Sequence, residues 1–137
     1  MRLSHRRPGR PRLLADRSGN VMLEFALALP ILALLLFAVI QFGIVFNNYV
    51  TLTDATRAGA RKAAVDRQLA NPAGAAVSAV RSSAANLKQS DLAVTVTSTW
   101  QPSADVTVTA TYPYSISLLG MVVKSGRLSS TTTERVE

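Results

Sequence analysis

The sequence predicts an α+β protein. A long N-terminal transmembrane and stalk helix leads into a small domain of one amphipathic helix and a short antiparallel sheet. Three observations carry this reading. Phe25 to Phe46 is an apolar stretch of 22 residues without a charge. An apolar stripe of helical period follows Asn71-Pro72. Two runs of alternating character, 92–100 and 104–112, follow that stripe.

The first nineteen residues form a basic leader. Arg2, Arg6, Arg7, Arg10, Arg12 and Arg17 face one acid, Asp16, so six minus one, or +5, of the formal net charge of +7 sits there. The sequence pI near 10.8 is therefore largely a property of the leader. It gives little support to nucleic-acid binding by the folded part.

Residues 20–46 form the expected membrane helix. At about 1.5 Å rise per residue, Phe25 to Phe46 reaches roughly 33 Å, enough to cross a hydrocarbon core of about 30 Å. Only Pro30, Gln41 and Gly43 interrupt its apolar character. A chain of 137 residues offers too small a core to wrap such a helix on all sides. A secretory signal would have a shorter apolar stretch, about 7–15 residues, and a small-x-small cleavage site. Asn47-Asn48-Tyr49-Val50 does not fit that site. Six arginines precede the helix, and Arg57, Arg61, Lys62 and Arg67 follow it. This balance favours a cytoplasmic N-terminus. The chain has no cysteine, so no disulfide can stabilise the domain beyond the membrane.

The junction Gly19-Asn20-Val21-Met22-Leu23-Glu24-Phe25 joins leader to helix. Glu24 is the only acid between Gly19 and Asp54. A carboxylate near a membrane segment is costly, by about 2.5–3.5 kcal/mol at the bilayer centre and less near the interface. It asks for a positive partner. Cleavage after Gly19, with Asn20 as the mature N-terminus, would supply one.

Residues 47–70 continue the helix as a stalk. Leu52, Ala55, Gly59 and Ala63 recur at three- and four-residue spacing, with Thr53, Arg57, Arg61 and Lys62 mainly off that stripe. Small residues on such a face let another backbone approach closely. Two readings stay open: a helix lying on its own domain, or one packing against copies or relatives of itself.

Residues 71–137 form the expected small domain. Asn71 can cap a helix and Pro72 suits its first position. Ala73, Ala76, Val77, Val80, Ala84 and Leu87 form its buried stripe. Leu92, Val94, Val96, Ser98 and Trp100 share one face of a strand, and Val106, Val108, Ala110 and Tyr112 share one face of the next, which predicts a hairpin. Trp100 reads as a core or hairpin anchor. Tyr112-Pro113-Tyr114 ends the pattern. The apolar run Ile116, Leu118, Leu119, Met121, Val122 and Val123 reads as a loop covering the core, with the membrane surface as the alternative. Arg127 to Val136 is compatible with a last strand.

Catalytic chemistry is missing. The only histidine, His5, sits in the leader, and without cysteine a transition-metal site is not expected. The acids show no catalytic spacing, and there is no phosphate loop or nucleophile elbow. No enzyme activity, metal, cofactor or small-molecule substrate is expected.

Arg17 to Pro30, with Gly19, Glu24, Phe25 and Pro30 in place, resembles the TadE-like minor pseudopilins of the tight-adherence (Flp) branch of type IV pili. Gln41-Phe42-Gly43 and Ala55 to Arg61 resemble the downstream pattern, so the likeness covers roughly Arg17 to Val65. The family often has small apolar residues after the cut, where this chain has Asn20. The resemblance implies cleavage between Gly19 and Asn20 by a membrane-embedded prepilin peptidase. It implies assembly through Glu24 and Phe25, with other pilins and the pilus assembly platform as partners. It implies a single-pass protein of the bacterial inner membrane, with its C-terminal domain outside the cytoplasm and a role in adhesion. An uncleaved anchored ectodomain and a soluble secreted domain are the alternatives.

Overall fold

A computed structural model describes residues 17–118 and 120–137. Residues 1–16 of the expected leader, and Leu119 of the apolar run, lie outside the described residues. The chain divides after Leu36 into two compact units, the second being Phe37–Glu137.

Helix α1 (Arg17–Val65) has 49 residues. From Phe25 to Leu36 it is apolar, and every residue there but Ala33 is exposed. Pro30 lies inside it and lacks an N–H, which leaves the Ala26 carbonyl without its helical donor. Membrane helices tolerate that defect.

The second unit holds the core. Helix α2 (Pro72–Ser83) begins as expected: Asn71 Oδ1 accepts from the Gly74 N–H at 2.8 Å, and Pro72 opens the first turn. Its C-terminal end is tied down by Gln89, whose Nε2 donates to the carbonyls of Ala84 (2.8 Å) and Leu87 (3.1 Å). Strands β1 (Ala93–Ser98), β2 (Asp105–Leu118) and β3 (Met121–Arg135) form an antiparallel sheet in the order β1-β2-β3. Val106, Val108 and Ala110 point inward. On the other face Thr107 pairs with Thr133 (3.1 Å) and Thr109 with Thr131 (3.0 Å) through their hydroxyls.

α1 is a layer of this core, as in the first of the two readings left open for its small-residue face. Leu52, Ala55 and Ala60 share one buried cluster with Val80, Ala84, Leu87, Leu92, Val108 and Ala110. Ala63 and Ala64 share a second with Ala76, Val106 and Val136, against which Val96 and Trp100 pack. Trp100 adopts a left-handed φ of 56°, and its N–H donates to Ser98 Oγ (3.1 Å). The last helical carbonyls of α1 need partners, and Glu137 N–H supplies one to Ala64 at 3.1 Å.

Strand β2 runs past the Tyr112-Pro113-Tyr114 stop expected from sequence. Pro113 falls just beyond the last β1–β2 pair, where β2 has become an edge on that side, and edges accommodate proline. Tyr114 faces Gly126 across β3, and a side chain at Gly126 would collide with the Tyr114 ring. The apolar 116–123 run is therefore not a loop over the core. It is the end of the β2–β3 hairpin, with a register shift at Ile116/Ser117 and a turn at Gly120 (φ 83°). Met121, Val122 and Val123 are exposed there.

A polar knot joins α1 to β3. Thr56 Oγ1 donates to the Thr53 carbonyl (2.8 Å) and accepts from Ser130 Oγ (3.0 Å) and Thr132 Oγ1 (3.1 Å). Thr56 and Ser130 are both buried. Thr56→Val keeps the shape but strands the Ser130 hydroxyl, which is expected to cost about 1–3 kcal/mol. Thermal unfolding of the full chain in detergent should show the loss. Adding Ser130→Ala should restore part of it, and an unchanged Tm in Thr56→Val alone would refute the account.

Candidate functional site

The junction residues lie at the start of α1. The 19–20 peptide bond falls close to the helix start at Arg17, among the residues whose N–H groups have no helical acceptor, so this stretch can unwind at small cost. Gly19 and Asn20 are exposed, and nothing lies within 4 Å of where a Gly19 side chain would begin. Asn20 and Glu24 are four residues apart and so share one helix face, about 6 Å apart along the axis. Glu24 is exposed and has no ion-pair partner among the described residues.

Beyond Glu24 the helix surface is apolar all round. Phe25 and Pro30 are exposed in the first unit. In the second unit Gln41 is half-buried, Gly43 and Phe46 are exposed, and Phe42 stacks on Phe46 with ring centroids 6.3 Å apart. α1 is long and apolar enough to cross a membrane, and none of its most apolar window is buried within the chain. A core helix of a soluble protein would be covered. Here most side chains from Phe25 to Phe46 are apolar and exposed.

The small-residue face is placed differently. Ala55, Gly59 and Ala63 are buried inside the second unit. A Cβ on Gly59 would strike the Val80 side chain and lie 3.2 Å from the Ala76 carbonyl oxygen. Of the two readings left open for this face, its own domain fills it. Thr56 and Ser130 escaped the sequence reading. The only signal for Thr56 was a polar residue interrupting an apolar stripe, and Ser130 lay in a serine- and threonine-rich run that gave none.

Among the described residues no group of three or more His, Cys, Asp or Glu could hold a metal. The Asp91 carboxyl is held below its ordinary pKa by hydrogen bonds from Lys88 and then from Ser90. The pair is solvated and sits at the end of a turn, which is the setting of a structural ion pair rather than of an acid–base catalyst.

Residues 19–61 match the model of a family described as TadE-like protein. This segment is TadE-like. The match opens on Gly19 and closes on Arg61, so it takes in the junction, the apolar helix and most of the small-residue face. No curated protein and no solved structure matches the chain. The TadE-like match and the long apolar N-terminal helix fit a membrane component of a Tad pilus. A single such helix also fits a single-pass inner-membrane protein.

Proposed function

We propose that this chain is a minor pseudopilin of a tight-adherence pilus, cut between Gly19 and Asn20 by a prepilin peptidase. The observation that carries this is the glycine five residues before a lone carboxylate, at the head of an exposed apolar helix within the TadE-like match. Cleavage occurs on the cytoplasmic side, and the domain at the far end of α1 lies outside the membrane. A glycine without Cβ lets a protease approach the backbone closely. The chain is thus a protease's substrate and performs no catalysis itself.

Glu24 then acts in assembly. Cutting after Gly19 creates a positive amine on Asn20. A neighbouring pilin displaced by about 6 Å along the helix axis brings its own amine beside this carboxylate. In low dielectric an isolated carboxylate is penalised, whereas a paired one recovers much of that cost. Other pilins and the assembly platform are the partners, and adhesion and surface colonisation are the outcome.

Two variants test this in cells that build the pilus. Replacing Gly19 by Leu should leave a longer species that keeps its leader, detected by mass spectrometry of membrane extracts. Glu24→Gln keeps size and hydrogen bonding, and should insert and be cut yet fail to co-purify with partner pilins. Retention of Met1 in the wild-type protein would reject processing and select an uncleaved anchored ectodomain. Normal co-purification and normal pili in Glu24→Gln would reject the pairing.

A further inference from the structure

The far end of the β2–β3 hairpin carries an apolar tip that the core does not use. Met121, Val122 and Val123 are 70%, 64% and 63% exposed. Beyond the Tyr112–Leu128 pair, the last to pack on the Leu52 cluster, the hairpin continues to its turn at Gly120.

Its direction is fixed by contacts within the unit Phe37–Glu137. Val136 packs with Ala63 and Ala64, and Glu137 N–H bonds the Ala64 carbonyl. Ser130 and Thr132 meet Thr56. Leu128 packs on the cluster that contains Leu52. Travelling back along β3 from Glu137 to Ser130 is therefore travelling back along α1 from Ala64 to Thr56, toward Phe46. Seven strand steps of about 3.3 Å, roughly 23 Å, track eight helix steps of about 1.5 Å, roughly 12 Å. At the same ratio, the nine further strand steps from Ser130 to Met121 correspond to roughly 15 Å of helix axis. That brings the tip level with Phe46, the outer end of the apolar segment.

The chemistry of the tip matches that level. No acid occurs between Val106 and Thr133, while Lys124 and Arg127 are exposed on β3 and Tyr112 and Tyr114 lie on β2. Asp91, which precedes β1 and lies beside Tyr112 and Tyr114, is paired with Lys88 at 3.2 Å. Apolar side chains with flanking bases and tyrosines suit the boundary between headgroups and acyl chains.

We propose that the β2–β3 tip, Met121 to Lys124 with Ile116 and Leu118, seats in the headgroup layer of an anionic phospholipid bilayer, the one α1 crosses. The proposal rests on the membrane reading of α1. It gives the domain a second contact with the bilayer, which restrains the tilt of the helix axis. Extraction of the protein into a pilus would have to release that contact.

Because the chain has no cysteine, single cysteines report cleanly. The full chain is reconstituted in vesicles of phosphatidylglycerol and phosphatidylcholine that carry nitroxide lipids. An environment-sensitive fluorophore is attached at Val122→Cys, Phe37→Cys or Thr131→Cys. Labels at Val122 and Phe37 should be quenched, and the label at Thr131, on the outer sheet face, should not. Lys124→Gln with Arg127→Gln, or vesicles without phosphatidylglycerol, should weaken seating of the Val122 label roughly fivefold per charge lost. If Phe37 is quenched and Val122 is not, the proposal is overturned while the membrane helix stands. If neither is quenched, α1 does not cross and the proposal falls with it. Quenching at Val122 that vanishes when the protein is diluted in lipid would make a second copy the occupant, and would also overturn it.

Discussion

A fragment running from Asn47 to Glu137 is expected to fold in water, whereas one running from Asn71 to Glu137 is not. The shorter piece keeps α2 and all three strands, so it holds every regular element of the small domain. It loses the wall formed by Leu52, Ala55, Ala60, Ala63 and Ala64, and with it the cover over Val80, Val106 and Val108, which are fully buried in the intact chain. It also strands Ser130 and Thr132, whose partner is Thr56. Each aliphatic side chain returned to water costs about 1.5–3 kcal/mol. Three of them approach or exceed the net stability of a small domain, about 5–15 kcal/mol. Urea titration followed by circular dichroism separates the outcomes. The longer fragment should unfold in one cooperative step, and the shorter should show no transition. A cooperative transition in the 71–137 fragment would remove α1 from the core.

Gly59→Leu is expected to destabilise the intact protein by about 3 kcal/mol or more, the upper range for overpacking a tight interface. A Cβ alone at this position meets the Val80 side chain, then the Ala76 carbonyl oxygen at 3.2 Å, with the Val108 side chain at 3.5 Å. Val80 is β-branched and stiff, so it cannot swing aside at small cost. The Ala76 carbonyl belongs to α2 and moves only if that helix moves. Gly59→Ala should be milder, because alanine returns up to about 1 kcal/mol of helix propensity against the same collision. Val80→Ala added to Gly59→Leu should recover part of the loss, as coupled neighbours do. Thermal unfolding in detergent reads all three, and an unchanged Tm in Gly59→Leu would show that α1 and α2 do not pack this closely. Gly43 provides the internal control. It has nothing within 4 Å, so Gly43→Ala should not lower the Tm.

These expectations mark how far the residues alone could be read. The start and buried face of helix α2 were legible, because Asn71, Pro72 and a stripe of period 3.6 are all local signals, whereas the helix ends at Ser83, before the Ala84 and Leu87 that the stripe included. The inner faces of β1 and of β2 up to Tyr112 were legible for the same reason: apolar and polar residues alternate there. β3 was harder, since serine and threonine occupy both of its faces and alternation cannot show which side is covered. Only the hydroxyl of Thr56 makes Ser130 an inward residue. The extension of β2 through Pro113 was misread because proline is a local stop signal. Its tolerance depends on β1 having already ended at the neighbouring edge, which is a fact of the sheet.

The sequence by itself determined the apolar helix and the α+β order of the small domain. Each depends on residue type and short spacing, which a chain carries before it folds. Tertiary structure alone decided that the small-residue face of α1 is filled by α2 and the sheet, and that the apolar run 116–123 is a projecting tip. Both depend on which surfaces meet across distant positions: Gly59 against Val80, Thr56 against Ser130, Leu128 on the Leu52 cluster. Periodicity identifies a face that must be buried, but the partner that buries it is set by long-range packing.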